Sequence, residues 1–354
     1  MSNNPHSTPP GRGSFNTLAQ SRTKPTDKPV AILVGKGSEL SEKQALKGRA
    51  KRKVITQAMV LGLIDANNNK GLNGEWKKSY WNTYHCQDRV FTAEGKLHGT
   101  YCKNRFCTLC CSIRKAVIIN QYLPVLNTWT EAHFVTLTIK AVRAKTLHAA
   151  LRSILRCFHW ITDKHRKRYE RGKGIELKGI KSLECNFNPK AKTYNPHLHL
   201  IVENKEMADI LIAEWLQRWG PKWTAKIAQH SRKVENTERD LIEIIKYGSK
   251  IFTEPDINNK LKGKGEAKIF VSALDNIFKA MRDLRIFERF GFNLPKASKP
   301  TTENSKVVQE YDEWVFDAKH FDWLNTENEE CLSDYKPVSE LIHLLNNNID
   351  TSLE

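Results

Sequence analysis

The chain has 354 residues, 40% of them hydrophobic, and a formal net charge of +18. That is enough apolar material for a sizeable core in one large domain or two to three small ones. No apolar run approaches the roughly 18 to 20 residues needed to cross a bilayer, which argues against a membrane-spanning class. The polar, Pro-rich start does not read as a secretory signal, so a cytosolic protein is expected.

The charge is unevenly spread. Residues 301–354 carry 13 acidic and 3 basic side chains, net −10, which leaves +28 on residues 1–300. A basic body of that size calls for a polyanionic partner, nucleic acid first. Five of the eight cysteines fall between positions 86 and 111. In a cytosolic chain such clustering reads as metal binding before disulfides.

In chain order, residues 1–45 are rich in Ser, Thr, Pro, Asn and Gly and read as a flexible tail. Residues 46–73 read as a basic helical segment, broken near Asn67–Gly71. Residues 74–126 read as a cysteine-rich module followed by a helix over 112–126. Cys107 and Cys110 form a CxxC pair, which presents two thiolates to one tetrahedral zinc. Cys102 is the third candidate and Cys86 the fourth, with His85, His98 and Cys111 as substitutes. Four protein ligands leave no open position, so such a zinc would be structural. Reduced, partly buried thiols are the alternative.

Residues 127–295 carry the chemistry. His133–Ile139 alternates as a half-buried strand, with Val135, Leu137 and Ile139 on one face and Thr136 and Thr138 on the other. Residues 146–168 form an amphipathic helix with a basic end. Arg166, Lys167, Arg168, Arg171 and Lys173 are candidate phosphate contacts, although such a run is often only a solvated face. A strand over 177–188 places Ser182, Glu184 and Asn186 on one face. A short turn makes the next strand, Asn195–Val202, its antiparallel neighbour.

On that next strand His197 and His199 share a face, and Glu184 can lie beside them. A hard carboxylate and two imidazoles suit Mg²⁺ or Mn²⁺. A helix over 206–218 follows, and 220–236 gives no clear pattern. A helix over 238–251 puts Glu243, Lys246, Tyr247 and Lys250 on one face, so a tyrosine stands between lysines that favour its phenolate. One more amphipathic helix is expected over 270–290. Residues 296–354 read as an acidic tail, or equally as a loosely folded helix pair.

Taken together, these motifs resemble the HUH endonucleases, and within them the single-tyrosine rolling-circle plasmid replication initiators, over about residues 84–295. A strand like Phe134–Thr138 resembles the family's first motif and His197-Leu198-His199 its metal motif. Glu243 and Tyr247 with Lys250 resemble its catalytic helix, and Cys102–Cys110 its upstream cysteine segment. The family often has a third histidine where this chain has Asn195, and a proline where it has Thr108.

The resemblance implies an α+β fold: an HUH-type antiparallel palm with helices on one face, plus the cysteine-rich module. It implies a metal at His197, His199 and Glu184, nicking of plasmid origin DNA (single-stranded or hairpin) by Tyr247, and a 5′-phosphotyrosyl link with a free 3′-OH. Glu243 is then a candidate base for hydrolytic termination, and Lys246 and Lys250 DNA contacts. No GxxxxGK[ST] motif occurs, so unwinding is expected from a host helicase and the host replication machinery. A transposase or relaxase would share the metal pair and tyrosine, and a non-catalytic zinc-bearing DNA-binding regulator is a reading of another class.

Overall fold

The computed structural model describes residues 31–33, 38–39, 43–69, 71, 75–245, 268–295, 306–308 and 311–352. Among them are two five-stranded sheets, antiparallel throughout, with helices around them. No helix among the described residues is long and apolar enough to cross a membrane.

The central sheet runs, in spatial order, Phe287–Phe290, Gly179–Asn188, Thr193–Val202, His133–Thr138 and His230–Lys233. Its two long strands form a hairpin whose register sets Glu184 opposite His197 and Ser182 opposite His199. Period-two alternation then sorts the faces. Leu137, Leu183, Leu198 and Leu200 point to one side and are fully buried. Each is worth roughly 1.5–3 kcal/mol relative to exposure. The helix Ala144–Tyr169 covers that side, where Phe158 lies under the Lys181 ammonium.

The opposite face is polar at one end, where the histidines sit, and apolar at the other, where Phe134, Ile180, Ile201 and Phe287 sit. That apolar half needs cover too. The helices Thr108–Leu126 and Thr237–Ile244 supply it, so helices flank both faces rather than the one expected. Tyr122 packs edge-on to Phe287 at 5.2 Å. Arg232, cross-strand from Phe134, is bound by Asp240 of the second helix.

The second sheet runs Asp322–Asn325, Asp312–Asp317, Arg89–Ala93, Lys96–Gly99 and Ser38–Glu39. The acidic segment, expected as a tail or helix pair, therefore contributes two strands, and the helix Ser339–Asn347 besides. Trp323, fully buried, donates from its indole to the Gln87 carbonyl at 2.7 Å and ties the segment to the cysteine-rich region. Ser38–Glu39, inside the expected N-terminal tail, pairs with Lys96–Leu97.

The helical segment expected from residue 46, with its break near Asn67–Gly71, is the helix Lys43–Asn69, which begins three residues earlier and is buried along much of its length. The helix expected over 270–290 is only Val271–Ala280. A turn with Asp283 at φ 60° ends it, and Phe287–Phe290 then pairs with Gly179–Ser182 as a strand. Phe287 and Phe290 turn to opposite sheet faces, a period-two arrangement that a helical reading cannot accommodate.

Candidate functional site

The hairpin brings Glu184, His197 and His199 together, with their ligand atoms within 4.8 Å of one another. The Nε2 atoms of both imidazoles lie 3.6 Å from the same carboxylate oxygen, Glu184 Oε2. Glu184 is 2% exposed and His197 4%. The other ring nitrogens are engaged. His197 Nδ1 is 3.0 Å from the Asn195 carbonyl, and His199 Nδ1 is 3.0 Å from the Thr136 hydroxyl. Fixing Nδ1 turns each Nε2 toward the carboxylate, the arrangement of metal-ligating histidines with their outer partners. The donor set fits a hard divalent cation.

A second group forms where Cys86, Cys102, Cys107 and Cys110 converge, again within 4.8 Å. Cys86 and Cys102 lie 3.7 and 3.6 Å from Cys110, sulfur to sulfur. Zinc–sulfur bonds of about 2.3 Å in a tetrahedron set their sulfurs about 3.8 Å apart, so the spacing fits zinc. Backbone amides of Cys102 and Cys110 point at Cys86 and Cys107 sulfurs, each at 3.5 Å. Hydrogen bonding led by Cys107 holds the Cys102 thiol well below its ordinary range, while bonding led by Cys102 holds Cys107 well above it.

Two of the substitutes are engaged elsewhere: His85 pairs with Asp88 at 2.6 Å, and Cys111 donates to the Arg105 carbonyl at 2.9 Å. Beneath the cluster the Lys53 ammonium, fully buried, donates to the Tyr84 and Cys86 carbonyls at 2.7 and 3.0 Å and to Asp88 at 2.6 Å.

The helix Thr237–Ile244 starts at Asn236, whose side chain accepts from the Arg239 amide at 2.8 Å. Glu238 and Asp240 in its first turn suit the positive end of the helix dipole. Asp240 takes both guanidinium nitrogens of Arg232 at 2.8 and 2.6 Å. Arg232 in turn lies 4.7 Å over the Phe134 ring, whose centroid is 5.3 Å from that of His199. The helix is thereby docked on the histidine face, with Leu241, Ile244 and Ile245 buried under it. Glu243 lies on its last turn. Lys246, Tyr247 and Lys250 lie outside the described residues.

The expected phosphate contacts fall elsewhere. Arg166, Lys167 and Arg168 end a helix that packs on the sheet face away from the histidines. There Arg166 pairs with Asp163 and Glu170, and Lys167 with Asp163. Arg171 and Lys173 follow in an exposed turn. A cavity of about 510 Å³ on that same side, lined by Phe158, Arg166, Lys181 and Glu288, includes none of Glu184, His197 and His199. Sequence reasoning missed two supporting contacts. Thr136 was already on the histidine face by alternation and needed only the register. Arg232 lies in a stretch without clear pattern.

Two curated relatives carry the name Protein rep. The one from Staphylococcus aureus is 32% identical over 181 residues, covering 46% of this chain and 75% of that protein. The one from Streptococcus pneumoniae serotype 2 (strain D39 / NCTC 7466) is 25% identical over 134 residues, 35% of this chain and 40% of that protein. No family model matches the chain, and no solved structure does.

Proposed function

Starting from a chain that belongs to the Rep family of replication proteins, we propose that it initiates plasmid rolling-circle replication by nicking one strand of origin DNA through an HUH-type tyrosine transesterification. The observation that carries this reading is the pair of imidazoles whose Nε2 atoms face one buried carboxylate. The docked helix supports it, because Tyr247 follows two residues after Ile245, the end of the described segment on that same face.

In this reading His197, His199 and Glu184 would hold a divalent cation, which would supply Lewis-acid polarisation of a phosphate. Asn195 and Thr136 keep the two rings aimed. The Tyr247 phenolate oxygen attacks phosphorus; a P–O(tyrosine) bond forms and the P–O3′ bond breaks. The departing 3′ oxygen takes a proton and becomes the free 3′-OH that primes synthesis. The phosphotyrosyl bond conserves the phosphodiester energy, so rejoining needs no nucleotide cofactor. Glu243, four residues before Tyr247 in the chain, is the base that activates water when the cycle ends. Lys246 and Lys250 contact the DNA, and a host helicase opens the duplex ahead of the host replication machinery. The cysteine cluster is a structural zinc site.

The test is covalent capture. Purified protein and single-stranded origin DNA are mixed with Mn²⁺, with Mg²⁺ or with EDTA, and adducts are read by denaturing gel and peptide mass. A metal-dependent 5′-phosphotyrosine on Tyr247, absent in Tyr247→Phe, is the expected result. DNA binding without any adduct would refute the enzyme reading, and an adduct on another tyrosine would refute the assignment of the nucleophile.

A further inference from the structure

The helix Lys205–Trp223 is broken at Gly220, whose φ of 65° and ψ of 171° lie outside helical space, with Pro221 behind it. A left-handed φ of that kind suits glycine. The chain then crosses the end of the strand His133–Thr138 and returns as the sheet's edge strand His230–Lys233. This crossing is fastened to the strand end by its own polar groups. The Trp223 carbonyl accepts from the Lys140 amide at 2.8 Å. The Thr224 hydroxyl donates to the Thr138 carbonyl at 2.8 Å, and buried Gln229 both accepts from the Thr138 amide at 2.8 Å and donates to its carbonyl at 3.3 Å. Thr138 is the residue paired with His197 across the sheet. The crossing is therefore anchored one cross-strand step from a metal-type ligand.

What it presents outward is unusual for a loop so firmly tied. Trp223 is 45% exposed and Ile227 88% exposed, while the neighbouring Thr224 and Gln229 are buried. Lys222 and Lys226 are exposed beside them, and the Lys222 ammonium stands 5.9 Å from the Trp223 ring centroid. A rigid anchor, an open indole, an open aliphatic side chain and two cations make the composition that holds unpaired nucleic acid: bases on apolar and aromatic surface, phosphates on lysines.

We propose that the Lys222–Ile227 crossing grips the single-stranded DNA next to the histidine–glutamate site, with Trp223 and Ile227 against bases and Lys222 and Lys226 against phosphates. It rests on the nicking reading only in taking single-stranded DNA as the substrate. A duplex, whose bases are stacked on one another, has no free face for Trp223.

The experiment measures binding rather than chemistry, so that the two readings fail separately. The full chain, with no chelator and no added divalent metal, is titrated against a fluorescent single-stranded thymidine oligonucleotide and against a duplex of the same length. Trp223→Ala and Ile227→Ser are each expected to weaken single-strand binding about tenfold, with duplex affinity and melting temperature unchanged. Lys222→Ala with Lys226→Ala should lower the salt dependence of single-strand binding by about 0.7 in log–log slope per lysine. A 5-iodouracil oligonucleotide should cross-link to the peptide that carries Trp223.

Unchanged single-strand affinity in the Trp223→Ala, Ile227→Ser double variant overturns the proposal. So does a cross-link confined to other peptides, or a loss of self-association with DNA binding intact. Binding that depends on Trp223 in a protein forming no tyrosyl adduct would sustain this proposal and sink the nicking reading.

Discussion

The cysteine cluster allows the sharpest test of stability. The perturbation is Cys110→Ser, or removal of metal by a strong chelator. Cys110 is the sulfur that lies 3.7 Å from Cys86 and 3.6 Å from Cys102, so losing it removes one of the four donors and the three edges of the tetrahedron that meet there. At free zinc a thousandfold above its dissociation constant, one bound ion stabilises the folded state by about 4.1 kcal/mol. A shift of about 2–4 °C per kcal/mol makes that a melting-temperature loss of about 8–16 °C.

The loss should spread first through the helices that meet at the cluster. Thr108, next to Cys107, shares a hydrogen bond with Thr56 of the long helix Lys43–Asn69 at 2.7 Å. The assay is elemental analysis of the freshly purified protein, then scanning fluorimetry with and without chelator, then thiol counting on the native fold. One zinc per chain, a lower melting point after chelation and thiols that react only once metal is gone are expected. Trace metal only, freely reactive native thiols and identical melting curves would refute the reasoning.

Three further predictions follow from single contacts. Thr136→Val keeps the shape of the side chain but removes the hydroxyl 3.0 Å from His199 Nδ1; calorimetric titration with Mn²⁺ should show roughly 10–100-fold weaker binding, as for other outer partners of ligating histidines. Lys53→Met leaves the Tyr84 and Cys86 carbonyls without their shared donor and should cost about 3–5 kcal/mol in a urea titration; a loss below about 1 kcal/mol would contradict the picture of a buried ion-paired lysine.

The third concerns Lys181, 3% exposed, whose burial lowers its pKa while Glu288 at 3.2 Å opposes the shift. The unfolded chain keeps that proton up to about pH 10.4, and the folded chain releases it sooner, so the unfolded state binds more protons in between. Wild type should therefore gain stability relative to Lys181→Met as pH rises from neutrality toward 10. A flat or falling difference would show that the lysine is not desolvated as the fold places it.

How legible all this was in the sequence depended on the kind of residue. His197, His199 and Glu184 were readable because a strand has a fixed period and a short turn forces its neighbour antiparallel. Two rules of backbone geometry therefore put three donors on one face, and the structure brings them together. Of the four cysteines, Cys107 and Cys110 were readable by their CxxC spacing, whereas Cys102 and Cys86 stood among several candidates until the fold brought the four together. The acidic strands were not. Asp312–Asp317 pairs with Arg89–Ala93 from more than 200 residues away, and nothing local in Asp312–Glu313–Trp314 announces that partner. Lys53 and Lys181 count in the sequence only toward its excess of basic charge, yet both are buried. A lysine's destination is set by the carbonyls and carboxylates that happen to surround it, which only the fold supplies.

The same reasoning explains the stretch 220–236, which gave no pattern. Its work is done by backbone contacts to Thr138 and by side chains that point outward, and neither leaves a periodic trace. Trp223 and Ile227 are informative because the anchor beneath them is so well satisfied. A loop that can bury Thr224 and Gln229 while leaving an indole and an aliphatic side chain in water has a geometry in which those groups stay available to a partner. Function in this chain thus divides into two layers. Period and spacing encode the donors that would hold metal, while long-range pairing decides which face they share with Arg232, Asp240 and the helix leading to Tyr247.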